Sequence, residues 1–197
     1  MFNFTGLDNL NANSFNGGFG GKLYLSPTMA VRGGLQFITA SQDFPINLDP
    51  GQQGQDGEIS ASTFGFNGAV EIHSGAGRVS PFIGVGAGFS TTSTENKSLN
   101  FGPSSSQRVV KNDPDGETIN GNSFVAGNRL DIFGLIGAEF FIVKELSLAA
   151  EYRLGFSKIS GKDVEVSQGT TSDKFKVGGA SGFGIDTGGA LTLSFYF

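Results

Sequence analysis

Large apolar residues recur at every second position along much of this chain, with smaller or more polar residues between them. The final stretch, LTLSFYF, shows the pattern clearly, because Leu191, Leu193, Phe195 and Phe197 occupy alternate positions. Successive side chains of a β-strand point to opposite faces, so a period of two predicts strands with one apolar face. Seven stretches carry the pattern: residues 15–25, 29–37, 64–73, 83–90, 130–142, 146–157 and 183–197.

The connections between these strands alternate in length. The short ones lie near residues 26–28, 74–79 and 144–145. The long ones are polar and rich in Gly, Ser, Asn and Asp, and they lie near residues 43–57, 95–122 and 161–180. We therefore expect short turns at one end of the sheet and long loops at the other.

An eighth strand is predicted at the start of the chain. If an even number of antiparallel strands ends at the short-turn end, the chain must also begin there. Residues 1–6 fit this requirement, because Phe2 and Phe4 alternate with Asn3 and Thr5. We expect this first strand to be cut short at its beginning, and a polar connection to follow it at residues 7–14.

Charged residues inside the strands all lie on the face opposite the apolar stripe. They are Lys22, Arg32, Glu71, Glu139, Glu151 and Arg153. In a soluble, lipocalin-like barrel the apolar face would surround a small apolar ligand and the charges would face water. In a membrane barrel the apolar face would meet lipid, and the three carboxylates should pair with the three cations inside, because an unpaired buried charge is very costly.

Three features favour the membrane barrel over the soluble one. The polar face carries many glycines, as a narrow lumen requires, at positions 18, 20, 34, 84, 86, 88, 137 and 155. The apolar stripe continues to the last residue, and the long loops share one end. Outer-membrane barrels typically have short turns at one end and longer loops at the other.

The chain resembles the bacterial outer-membrane β-barrel superfamily of the OmpA/OmpX-like type. The resemblance rests on KLYLSPTMAVRGGLQF at 22–37, SPFIGVGAGFS at 80–90 and the terminal LTLSFYF. It implies an all-β, eight-stranded, antiparallel up-and-down transmembrane β-barrel, with residues 1–197 as one domain in the outer membrane of a Gram-negative bacterium. It also implies that Leu193, Phe195 and Phe197 form a signal for the outer-membrane assembly machinery. The other expected partners are outer-membrane lipid and further envelope proteins, which the loops would contact.

The composition of the chain excludes some classes of protein and is compatible with an exported one. The 197 residues carry a net charge of −5, so no basic surface for nucleic acid is expected. No run of about 18 apolar residues encodes a membrane-spanning helix. The N-terminus lacks the basic and apolar regions of a signal peptide, so we expect that such a segment was removed or never present. The absence of cysteine fits an exported protein without disulfides.

Three short segments could suggest chemistry, and each has a simpler explanation. GVGAGF at 84–89 lacks the third glycine and the helix of a nucleotide-binding loop. NDPDGETING at 112–121 has Lys111 and Asn122 where a calcium loop needs carboxylates, so a flexible acidic loop is expected. His73 is the only histidine and lies at the short-turn end. We therefore predict no enzyme activity, no metal and no cofactor, and we expect loop 95–122 to be the main contact surface.

Overall fold

The computed structural model describes the chain in several ranges. The backbone is described for residues 2–5, 10–11, 14–47, 53–74, 77–101, 106–176 and 186–195. Side chains are described for residues 18–47, 53–74, 77–100 and 106–176. Within these ranges the regular structure consists of β-strands, and no helix is long and apolar enough to cross a membrane.

Eight strands form the main antiparallel sheet. Their bounds are β1 (Phe2–Thr5), β3 (Ser14–Ser26), β4 (Met29–Phe44), β6 (Gly57–His73), β7 (Val79–Lys97), β12 (Gly127–Val143), β13 (Leu146–Gly161) and β16 (Asp186–Phe195). The described connections contain eight short strands. These are β2 (Leu10–Asn11), β5 (Gly54–Gln55), β8 (Asn100–Phe101), β9 (Arg108–Lys111), β10 (Glu117–Ile119), β11 (Asn122–Phe124), β14 (Val164–Gln168) and β15 (Thr171–Phe175). The prediction of an all-β, antiparallel fold is confirmed.

Each of the eight main strands pairs with two others. Consecutive strands pair as hairpins, β7 pairs with both β6 and β12, and β1 pairs with both β3 and β16. At the junction between the two ends of the chain, Phe2 lies opposite Phe195 and Phe4 lies opposite Leu193. The backbone hydrogen-bonding groups of these strands are therefore satisfied on both sides along the paired ranges.

The two faces of the sheet differ in exposure, as the alternating sequence predicts. We call the face that carries Glu71 the inner face and the opposite one the outer face. On β6, Glu71 and His73 are buried, whereas Ile72 between them is 58% exposed. On β7, Phe82 is buried and Val85 is 68% exposed. The apolar stripe of the sequence thus forms the outer face.

Two long connections are more ordered than the sequence predicts. The expected loop at 95–122 contains the end of β7, the strand β9 and the first strand of the β10–β11 hairpin. The connection after β13 contains the hairpin β14–β15, and β14 also pairs with β9. Strands β6 and β7 extend towards these loops through small polar residues such as Ser60, Ser62, Thr92 and Thr94. A search for large apolar residues misses such extensions.

Gly86 shows why the inner face needs glycine. A Cβ atom there would lie 2.6 Å from the carbonyl oxygen of Gly68 and 2.6 Å from ring atoms of Phe133. At Gly33, also within a strand, the nearest atom to an added Cβ would be the carbonyl oxygen of Asn67 at 3.7 Å. Only the first position is too crowded for a side chain.

We predict that Gly86→Ala lowers the free energy of unfolding by about 1–3 kcal/mol, the usual cost of overpacking a core. Gly33→Ala is the matched control and should change the stability little, because the new methyl group meets only ordinary contacts. Urea unfolding of the two variants in the same amphiphile measures both effects. Equal stability of the two variants would contradict the packing described for Gly86.

Candidate functional site: a buried network of charges

The structure brings Lys22, Glu71 and Glu139 into direct contact on the inner face. The Lys22 Nζ atom lies 2.7 Å from Glu71 Oε2 and 3.0 Å from Glu139 Oε2. The side chains of all three are at most 4% exposed. Lys22 is on β3 and Glu139 is on β12, two strands that do not pair with each other. The sheet therefore curves far enough for inner side chains to meet across it.

Arg32 connects this group to a second carboxylate. Its Nε atom lies 3.0 Å from Glu71 Oε1, and its terminal nitrogens donate to Glu151 at 2.5 and 3.2 Å. Arg153 then donates to Glu151 Oε1 through Nε at 2.7 Å. The six charged residues that the sequence singles out are thus one continuous chain of ion pairs, with three positive and three negative side chains.

The exposure of the network falls from one end to the other. Arg153 has a side chain that is 35% exposed, whereas the side chain of Arg32 is 11% exposed. Glu71, with no exposure, is the centre of the network, because it contacts Lys22, Arg32 and His73. The most costly residue to disturb should therefore be Glu71, while Arg153 is a partly solvated end of the chain of pairs.

His73 belongs to the same cluster, although no partner for its side chain is predicted from the sequence. Its Nε2 atom lies 3.0 Å from Glu71 Oε2, and its Nδ1 atom lies 3.0 Å from Ser80 Oγ. Ser80 is on β7, two residues before Phe82, whose side chain lies on the inner face. Because side chains two positions apart in a strand share a face, the sequence alone could have predicted that Ser80 points inward. The carboxylate–imidazole–hydroxyl order is that of a hydrolase triad. However, these three residues are at most 6% exposed.

Uncharged groups complete the hydrogen bonding of Glu139. Ser147 donates to Glu139 Oε1 at 2.6 Å, and Tyr24 donates to Glu139 Oε2 at 3.0 Å. Ser147 has no exposure and Tyr24 is partly buried. A buried carboxylate stays charged only where several donors replace its water, and Glu139 has a lysine and two hydroxyl donors.

Apolar residues pack beside the charges on the same face. Ala69, Phe82, Phe133, Leu135 and Ala149 form one buried cluster. The Lys22 Nζ atom lies 5.1 Å from the centre of the Phe82 ring, and the guanidinium of Arg153 lies 5.0 Å from that of Phe133. These rings cover the cations and exclude water, which strengthens the ion pairs around them.

A smaller polar group lies towards the long loops. Arg129 donates to Asp131 Oδ1 at 2.7 Å and to Ser157 Oγ at 2.7 Å. The side chains of Arg129 and Asp131 are 37% and 24% exposed. Both residues are on the inner face, because they are separated from Glu139 by an even number of positions along β12. Solvent therefore reaches this part of the inner face.

The segment at 112–121, expected from its sequence to be a flexible acidic loop, contains tight turns and the strand β10. Asn112, Asn120, Gly116 and Gly121 adopt positive φ angles between 50° and 81°, which set tight turns. Glu117 is buried and accepts a hydrogen bond from Asn96 at 3.0 Å. Among the side chains that the structure describes, no group of three His, Asp or Glu residues could hold a metal ion.

The proposed assembly signal is described only in part. Leu193 and Phe195 are paired within β16, where Leu193 lies opposite Leu148 and Phe195 opposite Leu146. Phe197 lies outside the described residues, and so do the side chains of Leu193 and Phe195. The role of these three residues stays a prediction.

Comparisons of the chain with models of known families, with curated proteins and with solved structures found no match. The resemblance to outer-membrane barrels therefore stays a prediction as well. The class of protein has to be argued from which side chains are buried and which are exposed.

We predict that Glu71→Gln destabilises the fold by about 3–5 kcal/mol, the cost of breaking a buried ion pair, because the network is then left with three cations and two carboxylates. Arg153→Met should cost about 1 kcal/mol or less, because Arg153 is partly solvated and Glu151 keeps Arg32. Equilibrium urea unfolding of both variants gives the comparison.

A double variant, measured by the same urea unfolding, tests which charges are paired. Glu71→Gln combined with Arg32→Met removes one charge of each sign and leaves Lys22 paired with Glu139 and Arg153 paired with Glu151, so the double variant should recover part of the loss. A larger effect for Arg153→Met than for Glu71→Gln would show that the centre of the network lies elsewhere.

Proposed function

We propose that this chain is a small transmembrane β-barrel of a bacterial outer membrane, with a structural or accessory role and no enzyme activity. In this proposal the inner face lines a narrow lumen and the outer face meets lipid. The observation that carries the proposal is the inverted burial of polar and apolar residues. Glu71 and Glu139 have no exposure, whereas Leu23 is 65% exposed and Val85 is 68% exposed.

The extent of the exposed apolar surface supports a lipid environment. Exposed large apolar residues occur on β3, β4, β6, β7, β12 and β13, which pair in that order as one continuous series. Soluble monomers rarely expose a continuous apolar patch of more than a few hundred Å². An apolar surface that extends around neighbouring strands is expected where hydrocarbon replaces water.

The strand pairing supports closure of the sheet into a barrel. The order of pairing returns from β12 to β7 and from β16 to β1, so each of the eight main strands has a neighbour on both sides. Only closed barrels and helices satisfy all backbone groups inside a bilayer. Strands such as β4, with 16 residues, and β7, with 19, exceed the roughly 9–11 residues that a tilted strand needs to span the hydrocarbon.

The same burial argues against a soluble barrel with an apolar pocket. A lipocalin-like barrel would place its large apolar residues inside and its charges in water. Here the inner face holds the ion-pair network, and the two central carboxylates are shielded from solvent. The side chains that could have lined an apolar pocket, such as Ile72 and Ile83, are on the outer face.

The buried triad-like contact does not favour an enzyme. Ser80 is 6% exposed and His73 is 3% exposed, so neither side chain faces a space in which a substrate could bind. Hydrolysis requires the hydroxyl to reach a substrate carbonyl beside hydrogen-bond donors for the oxyanion. We interpret the contact as part of the network that satisfies Glu71.

Contacts with other envelope proteins would involve the β14–β15 hairpin more than loop 95–122. Every residue from Gln168 to Lys176 is exposed, including Phe175 at 56%. By contrast, Glu117 and Ile119 of the other connection are buried. Interaction through the loops thus remains part of the proposal, with the exposed hairpin as its surface.

The dependence on amphiphile tests the proposal directly. Purified chain should fold with its strand content only in detergent or lipid vesicles, and it should aggregate when the amphiphile is removed. A folded monomer in plain buffer, measured by circular dichroism and light scattering, would refute the membrane assignment.

We also predict that Val85→Arg makes folding into lipid vesicles less favourable by about 2–4 kcal/mol, the cost of a cation on the lipid face near the bilayer centre. Thr171→Arg on β15 is the control, because this exposed residue of the hairpin would lie in water. In a soluble protein the exposed Val85 should accept arginine as easily as Thr171 does. Equal folding of both variants in vesicles would therefore contradict a lipid-facing Val85.

A further inference from the structure

The β10–β11 hairpin packs onto the inner face instead of extending into solvent. Ile119 has no exposure and lies in a cluster with Ala40 of β4 and Ala61 of β6. Ile59 and Phe124 pack against the same cluster. Ala40 is eight positions from Arg32 and Ala61 is ten positions from Glu71, so both alanines share the inner face with the charges.

Hydrogen bonds attach the hairpin and the residues before it to two strands, β7 and β4. The Asn112 amide before it donates to the carbonyl oxygen of Thr94 on β7 at 2.9 Å. Asn96 of β7 donates to Glu117 at 3.0 Å, and the Asn120 amide donates to Gln42 of β4 at 3.4 Å. The last of these is long, and no backbone ladder to β4 or β6 is present among the described residues of the hairpin. The hairpin is thus held mainly by Ile119 and a few side chains.

The region beyond the hairpin is accessible to solvent, whereas the opposite end is not. Arg129 and Arg153 are on the inner face with side chains 37% and 35% exposed. Towards the short turns, the side chains of Lys22, Glu71 and Glu139 are at most 4% exposed. A solute could therefore reach the two arginines only from the long-loop end, where the hairpin lies.

We propose that the β10–β11 hairpin is a stopper for the lumen: with Ile119 in place only water enters from the long-loop end, and release of the hairpin admits small water-soluble solutes to the chamber that contains Arg129 and Arg153. This inference rests on the proposed barrel. A single apolar side chain on two alanines is a small contact, which suits an element that opens without disturbing the main strands. The ion-pair network below it keeps the chamber closed at the other end.

Cysteine labelling tests the stopper, because the chain has no cysteine of its own. Asn67→Cys places a thiol on the inner face, six residues or about 20 Å along β6 from Ala61. The probe is a sulfonated maleimide, added to protein in phospholipid vesicles. With the β10–β11 hairpin intact, the thiol of Asn67→Cys should react at least about tenfold more slowly than that of Ser172→Cys on the exposed β14–β15 hairpin. The reason is that the β10–β11 hairpin must open locally before the maleimide can reach Asn67→Cys.

Adding Ile119→Asp should raise the labelling rate of Asn67→Cys at least about tenfold, because a carboxylate cannot stay in the alanine cluster. Thr118→Asp is the matched control, since Thr118 is the exposed neighbour on the same strand, and it should leave the rate unchanged. If Ile119→Asp prevents folding, replacement of residues 113–124 by a short Gly-Ser linker gives the same comparison. A labelling rate that is independent of the hairpin in the folded variants would overturn the proposal.

A third thiol separates the failure of the stopper from the failure of the barrel. Val85→Cys lies on the outer face and should be protected from the charged maleimide by lipid. Rapid labelling of Val85→Cys in vesicles would refute the membrane barrel. Protection of Val85→Cys together with rapid labelling of Asn67→Cys would refute the stopper alone.

Discussion

The carboxylate of Glu71 imposes the strongest constraint on this fold. It has no contact with water, and it is neutralised by Lys22 from β3 and Arg32 from β4. A buried unpaired carboxylate would cost several kcal/mol, so the fold is stable only if β3, β4 and β6 keep the register that brings these cations together. Glu139 extends the requirement to β12, and Glu151 extends it to β13. The network thus links strands that do not pair with each other.

This constraint also explains why charged and aromatic side chains lie on the inner face and large aliphatic side chains mostly on the outer face. Long charged side chains and the rings of Phe82 and Phe133 fill the inner face, so the neighbouring strands must present glycine there, as Gly86 does. Most large aliphatic residues of the main strands therefore lie on the outer face. In water such an apolar surface would favour aggregation, whereas in lipid it stabilises the protein. The interior chemistry and the proposed location therefore depend on each other.

The sequence predicts the strands and the charged residues well because both follow from a period of two. It does not predict which charges pair, because that depends on how strands far apart in the chain meet across the sheet. Arg153 is an example: its alternation places it inside, yet its partial exposure could not be read from the sequence. The β10–β11 hairpin was missed for another reason. Its inward residues, Glu117 and Ile119, lie in a short polar segment, and only the contacts with Ala40 and Ala61 reveal their burial.

Accessibility along β7 in lipid vesicles tests the two faces most directly. Single spin labels at residues 82, 83, 85, 87 and 89, which leave out the crowded glycines, would be exposed in turn to oxygen, which concentrates in lipid, and to a water-soluble nickel complex. The burial pattern predicts that residues 83, 85, 87 and 89 are accessible to oxygen, whereas residue 82, where the label replaces a large buried side chain, is accessible to neither. Accessibility of the odd-numbered spin labels to the nickel complex would show that the apolar face meets water. The proposal of a membrane barrel with a charged lumen would then be wrong.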